Sequence, residues 1–156
     1  MRSARCSYCL ACQPRQPGKI FRIGYLDNST ASGIAVLLDG FRQELSKLGW
    51  TEGKNIAIEY RFAEQKNERL PELATELGRL KVDVIVTRGP PATRAAKGAT
   101  VTIPIVMTQD PDPVANGFVA SLARPGGNIT GLSSLAPETS GKQLELLKET
   151  VPKLPV

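Results

Sequence analysis

The arrangement of hydrophobic and polar positions predicts a regular series of strands and helices. Short apolar runs rich in β-branched residues are typical of strands, and apolar residues at every third or fourth position are typical of helices. We predict strands over residues 20–26, 55–61, 82–87, 103–108 and 128–133. We predict helices over residues 34–48, 68–80, 92–99, 114–123 and 137–150.

Strands and helices alternate along the whole series. This order is typical of βαβ units, in which parallel strands form a sheet and helices cover both of its faces. The expected fold class is therefore α/β, with three layers and a mostly parallel, doubly wound sheet of about five strands. No apolar run approaches the roughly 20 residues of a membrane-spanning helix.

The formal charge of +5 comes from the amino-terminal end of the chain. Residues 1–22 contain five basic residues and no acidic ones, whereas residues 23–156 contain 15 of each. A nucleic-acid surface requires a basic patch on the folded domain itself. The balanced remainder therefore predicts no nucleic-acid partner.

Cys6, Cys9 and Cys12 are spaced like metal ligands or redox cysteines, but the chain has no histidine to complete a zinc site of the mixed type. No strand or helix pattern surrounds them. We therefore expect residues 1–19 to be a disordered tail or a degenerate export signal, and we expect neither a metal ion nor a cofactor.

Ligands of open α/β sheets bind beyond the carboxyl ends of the strands. Loops 27–32, 88–93, 109–114 and 133–136 lie at those ends in the predicted order. Arg88 can clamp a carboxylate there, or it can be a solvated loop residue. The small hydroxyl side chains can equally be helix N-caps. The candidate ligand-binding residues are Asn28, Thr30, Ser32, Arg88, Gly89, Ala92, Thr93, Thr108, Asp110, Asp112 and Ser133.

The residues typical of catalysis are scarce. Without histidine the chain lacks the commonest general base, and neither a dinucleotide fingerprint nor a P-loop occurs in it. Asp110 and Asp112 permit an acid–base interpretation, although aspartates beside prolines are also ordinary in turns. We therefore expect a binding protein and no enzyme.

Residues 122–134 (Leu-Ala-Arg-Pro-Gly-Gly-Asn-Ile-Thr-Gly-Leu-Ser-Ser) resemble a segment of one family of bacterial solute-binding proteins. Taken alone, the segment is a turn between a helix and a strand. Further matching segments follow in order at residues 22–26, 40–45, 48–56, 59–63, 69–74, 82–86, 103–106, 112–114 and 144–149. The chain is thereby identified as similar to ABC transporter substrate-binding proteins of the tryptophan/tyrosine type.

This resemblance implies a fold like that of type I periplasmic binding proteins, with two α/β lobes that close on a solute. It implies capture of an amino acid or related molecule outside the cytoplasm, in the periplasm or its equivalent, and delivery to a membrane permease. Residues 20–136 would form the first lobe, and residues 137–156 a helix leading to a second lobe that the chain lacks.

The chain departs from the family pattern in lacking a clear export signal and in having Pro90 at a position where a hydroxyl residue is commoner. Since a single lobe makes only about half of the ligand contacts, we expect weak binding or none. Exposed apolar surface also favours self-association. The alternative hypothesis is a stand-alone α/β regulatory or interaction domain without catalysis.

Overall fold

The protein is described by a computed structural model covering residues 19–134 and Lys142. Its centre is a sheet of five parallel strands in the order β2-β1-β3-β4-β5. The strands are β1 (Phe21–Asp27), β2 (Ile56–Phe62), β3 (Val84–Arg88), β4 (Ile105–Asp110) and β5 (Ile129–Ser133). The helices are α1 (Ala35–Lys47), α2 (Leu70–Arg79) and α3 (Pro90–Ala99), with a 3₁₀ turn over Asn67–Arg69 before α2. The predicted α/β class and parallel sheet are confirmed.

The two faces of the sheet carry different helices because side chains alternate along each strand. Tyr25 of β1 and Val86 of β3 belong to the apolar cluster that includes α1. Leu26 and Ile85, one residue away on the same strands, belong to the cluster formed with α2 and α3. The sheet is therefore the middle of three layers, as predicted.

Gly24 allows α2 to lie close against β1. A Cβ atom at this position would lie 3.1 Å from both Cδ atoms of Leu77, which is fully buried. Because interiors are packed to crystal-like density, a Cβ at this position would require the Leu77 side chain to shift by a few tenths of an ångström.

The predicted helix over residues 114–123 is wrong. The backbone N–H groups of Asn116 and Phe118 donate to the carbonyls of Asp112 and Pro113, so the segment begins as a turn. Gly117 then has φ +69°, which a right-handed helix cannot contain. Phe118 and Val119 are nevertheless buried against the α2–α3 face of the sheet. Their helix-like spacing thus reflects packing of an irregular segment.

The proposed division of the chain into a tail, a lobe and a final helix stays a prediction. Residues 1–18 lie outside the described residues, as does the predicted helix over residues 137–150 apart from Lys142, which is helical and exposed. None of the helices in the described part has the length and apolar character needed to cross a bilayer.

Candidate functional site

The strand order reverses between β1 and β3, since β2 lies on one side of β1 and β3 lies on the other. At such a reversal the loops at the carboxyl ends diverge and leave a crevice that ligands occupy in open α/β sheets. Asp27 ends β1, Arg88 ends β3, and the two residues are register partners. The site therefore begins with an oppositely charged pair on neighbouring strands.

Asp27 is held in one orientation by its own loop. Its Oδ1 atom accepts hydrogen bonds from the backbone N–H of Ser29 at 2.8 Å and from the Ser29 hydroxyl at 2.6 Å. Its Oδ2 atom is buried without a hydrogen bond and lies 3.6 Å from Nη1 of Arg88. The hydrogen bonds to Oδ1 thus hold the carboxylate in place, while Oδ2 can still accept a hydrogen bond.

Arg88 contributes a guanidinium group with unused capacity. Its Nε atom is buried and has no hydrogen-bond partner, while its side chain is 29% exposed. The next residues on the chain, Gly89, Pro90 and Pro91, lead into α3. Because the two prolines have no backbone N–H, the first turn of α3 offers an anion fewer donors than a usual helix N-terminus. Arg88 is therefore the main donor of this loop.

Asp110 ends β4 and is fully buried. Its Oδ1 atom accepts hydrogen bonds from the backbone N–H of Asp112 and from Nδ2 of Asn116, each at 3.0 Å. Its Oδ2 atom has no hydrogen-bond partner. Gln109, immediately before it, has φ +57°, and the register between β4 and β5 shifts over the same residues. This irregular strand end buries the Asp110 carboxylate.

The remaining polar candidates hold the loops in shape. Thr30 Oγ1 accepts the backbone N–H of Gly33 at 3.1 Å and lies 3.3 Å from the Ser32 hydroxyl. Thr108 donates to the carbonyl of Thr87, and Asp112 accepts the backbone N–H of Ala115. None of these hydroxyls is the N-cap of α1, which begins after Ile34 without a side-chain cap.

Two candidates lie beneath the edge and not on it. Ala92 and Thr93 are both fully buried. Thr93 Oγ1 donates to the carbonyl of Gly89 at 3.1 Å and lies 2.8 Å from Oγ1 of Thr87. The hydroxyl therefore joins α3 to β3. Ser133, by contrast, is the register partner of Asp110 and lies at the edge.

Asn28 remains at the edge with an unused acceptor. Its Oδ1 atom is buried without a hydrogen-bond partner. Together with Asp27 Oδ2, Arg88 Nε and Asp110 Oδ2, it makes up all of the unpartnered buried side-chain atoms identified in the described residues. Buried polar groups normally have hydrogen-bond partners. The four atoms without one lie together at the carboxyl ends of three strands, which favours this edge as a binding place for a polar ligand or water.

Sequence reasoning places Asp27 in a candidate ligand loop without singling it out, and it misses Asn116 as a site residue. Asp27 ends an apolar strand at the predicted ligand edge, a signal that could have identified it. Asn116 was assigned to a helix that does not exist. The same edge affects Tyr25: burial, and after it the charge of Asp27, raises the pKa of its phenol, which stays protonated at neutral pH.

Two clefts lie elsewhere on the described surface. One, of about 270 Å³, lies beside Trp50 and Arg42, and the other, of about 530 Å³, runs between α2 and α3 along Pro71 and Arg94. Neither is lined by Asp27, Arg88 or Asp110. We place the site at the sheet edge because buried charged groups without hydrogen-bond partners lie there, whereas the volume of a cleft alone does not indicate what it binds.

No group of three or more metal-ligating side chains occurs within the part of the chain described.

The fold and the polar edge define an α/β domain suited to holding a small polar ligand at the strand reversal. The sequence profile of the ABC transporter substrate-binding proteins matches residues 30–155. The chain belongs to this family.

Individual relatives agree with this assignment. The chain is 38% identical over 114 residues to the tyrosine-binding protein of Clostridioides difficile strain R20291, a match that covers 73% of this chain and 32% of that protein. Among solved structures, a conserved domain protein from Vibrio cholerae O1 biovar El Tor matches with a TM-score of 0.79 and 32% identity, over 86% of this chain and 45% of that one. A ligand-free, open substrate-binding protein with adhesive properties from Clostridium difficile matches with a TM-score of 0.71 and 33% identity, over the same shares. The chain thus spans less than half the length of these relatives.

Proposed function

We propose that this chain captures an α-amino acid as the solute-binding component of an ABC transporter. The observation that carries the proposal is the set of unpaired buried atoms on three neighbouring strands. Asp27 and Asp110 each have a buried carboxylate oxygen without a hydrogen bond, and the Nε–H of Arg88 is likewise buried without an acceptor. An amino acid supplies the complement, since its ammonium group donates and its carboxylate accepts.

The arrangement of these groups also supports binding without reaction. The two carboxylates are fixed by neighbours that use their other oxygens, as Ser29 does for Asp27 and Asn116 does for Asp110. Preorganised groups of this kind lower the cost of ordering on binding. The family is defined by substrate binding, and we propose that the chain has no catalytic activity.

The name of one relative supports an amino acid as the ligand. The protein that is 38% identical is named for binding tyrosine. We propose that an amino acid bound here is delivered to a membrane permease, and that this takes place outside the cytoplasm. A second α/β lobe would close over the ligand, as domains do by hinge motion around ligands.

We further propose that the 156-residue chain binds its ligand weakly. The edge of a single lobe is open to water, which weakens each polar contact. Titration of the monomer with amino acids in a calorimeter tests this point. Dissociation constants in the millimolar range are expected, and micromolar binding by the monomer would contradict the proposal.

Substitution of Arg88 tests the binding mode. We expect Arg88→Gln to abolish the binding of L-tyrosine to this chain, because the carboxylate loses its charged donor. Arg79→Gln, at the exposed end of α2, is the matched control and should bind as the unmodified chain does. Tyramine, which lacks the carboxylate, should bind the Arg88→Gln chain at least as tightly as the unmodified chain, because the edge then carries more negative charge. Unchanged tyrosine binding in Arg88→Gln would refute the assignment.

Self-association is the second behaviour that a specific observation favours. Leu132 of β5 is 73% exposed, and among the described strands β5 has a neighbour on one side only. Exposed strand edges with apolar side chains can pair with another chain. We expect sedimentation to detect concentration-dependent dimers, and we expect Leu132→Lys to shift them towards monomers. A monomer at every concentration would argue against this and against an interaction domain.

A further inference from the structure

The charges at the ligand edge do not balance. Asp27 and Asp110 are the fully buried charged side chains of the described residues. Along the sheet they lie on β1 and β4, with Arg88 on β3 between them. The edge therefore has two buried carboxylates, and the ion pair recorded for them joins Arg88 to Asp27.

Within residues 19–134, the only ion pair to either carboxylate is the one between Arg88 and Asp27. The hydrogen bonds that reach Asp110 come from the backbone of Asp112 and the amide of Asn116, which are neutral donors. Asp27 receives hydrogen bonds from the neutral groups of Ser29, and its contact with Arg88 is an ion pair at 3.6 Å without a hydrogen bond. An uncompensated buried charge is costly, so the edge attracts a cation.

The charge of a ligand can restore the balance. An amino acid with a neutral side chain brings one ammonium and one carboxylate, which leaves the negative excess unchanged. An amino acid with a basic side chain brings a second cation and neutralises the edge. We infer that the preferred ligand of this chain is a basic α-amino acid, such as lysine or ornithine. This inference rests on the proposed function and specifies its substrate class.

The spacing of the strands that carry the two carboxylates is compatible with such a ligand. Neighbouring strands lie about 4.8 Å apart, so the backbones of β1 and β4 are separated by roughly 10 Å across β3. An extended lysine places its two ammonium groups at opposite ends of the molecule. One end can therefore reach Asp27 and the other Asp110, with the α-carboxylate near Arg88.

A comparison of isosteric ligands tests the inference. The 156-residue chain is titrated with L-lysine and with L-norleucine, whose side chain has the same carbons without the ammonium group, and chemical shifts of the edge residues are followed by NMR. We expect lysine to bind about tenfold more tightly than norleucine, the effect of one additional charge pair. L-Glutamate should bind more weakly than either.

The Asp110→Asn variant locates the effect. It keeps the shape and one acceptor oxygen but removes the charge, and it should reduce the preference for lysine to less than about threefold. Asp39→Asn is the matched control, because Asp39 is an exposed partner of Arg42 on α1 and lies outside the site. A urea unfolding curve establishes that each variant is folded, and the comparison of lysine with norleucine on the unmodified chain does not depend on any variant.

The outcomes separate this inference from the proposed function. Equal binding of lysine and norleucine, both weakened by Arg88→Gln, would overturn the basic-ligand inference and leave amino-acid capture in place. A lysine preference that persists in Asp110→Asn would also overturn it. If no amino acid shifts any residue of the edge, both proposals fail.

Discussion

Asp27 Oδ2 and Arg88 Nη1 lie 3.6 Å apart at the carboxyl ends of neighbouring parallel strands. The aspartate side chain is only 2% exposed and the arginine side chain is 29% exposed. The pair is therefore close enough to interact, yet it leaves hydrogen-bonding capacity on both partners. It joins β1 to β3 at the point where the strand order reverses.

This relationship predicts a stability effect for Arg88→Gln. Removal of one partner from a fully buried pair costs about 3 to 5 kcal/mol. Partial exposure of Arg88 and the absence of a hydrogen bond reduce the expected cost to about 1 to 2 kcal/mol. Urea unfolding followed by circular dichroism measures the change. Arg79→Gln should leave the midpoint unchanged, and equal midpoints for all three proteins would mean that the pair contributes nothing.

The close approach of α2 to β1 predicts opposite effects for two glycine substitutions. Gly24→Ala should destabilise the fold by about 1 to 3 kcal/mol, since its Cβ would lie 3.1 Å from buried Leu77. Gly40→Ala in α1 should stabilise it by about 0.5 to 1 kcal/mol, because a Cβ there meets nothing within 4 Å and alanine favours the helix. Thermal unfolding of the Gly24→Ala and Gly40→Ala variants measures both effects. A Gly24→Ala chain as stable as the parent would contradict the tight contact between β1 and Leu77 of α2.

Asp83 predicts a pH-dependent contribution to stability. Burial raises its pKa, but hydrogen bonds from Lys19 at 2.6 Å and from the backbone N–H of Arg22 at 2.9 Å outweigh burial, so the pKa lies below the ordinary 3.8. The unfolded chain then takes up the proton at higher pH than the folded chain. The stabilisation is therefore complete well above pH 3.8 and is lost as the pH falls through the folded pKa.

Asp83→Asn tests this directly. The variant should be less stable than the parent by up to about 1 kcal/mol at pH 7, the scale of an exposed ion pair. The difference should shrink as the solution is acidified below pH 4, where the parent carboxylate also becomes neutral. Asp39→Asn, which breaks the more exposed pair with Arg42, serves for comparison. A difference that is constant with pH would exclude the charge of Asp83 as its cause.

Local sequence patterns predict most of the sheet. β3 and β4 are β-branched runs bounded by polar residues, and their observed limits lie within two residues of the predicted ones. Such strands can be predicted from the local sequence alone, because a strand buried on both faces is apolar along most of its length. The segment over residues 114–123 shows the limit of the method. Its apolar residues have helical spacing, but the positive φ of Gly117 is incompatible with a helix, and nearby prolines also restrict the backbone.

The candidate site could be predicted only in part. The sequence places Arg88 and Asp110 at strand ends, because strand limits are local. Burial of the Asp110 carboxylate depends on the left-handed backbone of Gln109 and on a register shift against β5, which are tertiary features. Proximity of Asp27 to Arg88 depends on β1 lying beside β3. Ala92 and Thr93 follow a strand end as expected, yet the first turn of α3 carries both into the core.

The most direct test of the account is to map where an amino acid touches the chain. ¹H–¹⁵N NMR spectra are recorded during titration with L-lysine and, separately, L-tyrosine. The account predicts that shifts cluster at the ends of β1, β3 and β4, around Asp27, Arg88 and Asp110, and that Arg88→Gln removes them. Shifts confined to the groove between α2 and α3, at Thr75, Arg94 and Gly98, would contradict it, as would shifts at the edge that survive the loss of Arg88.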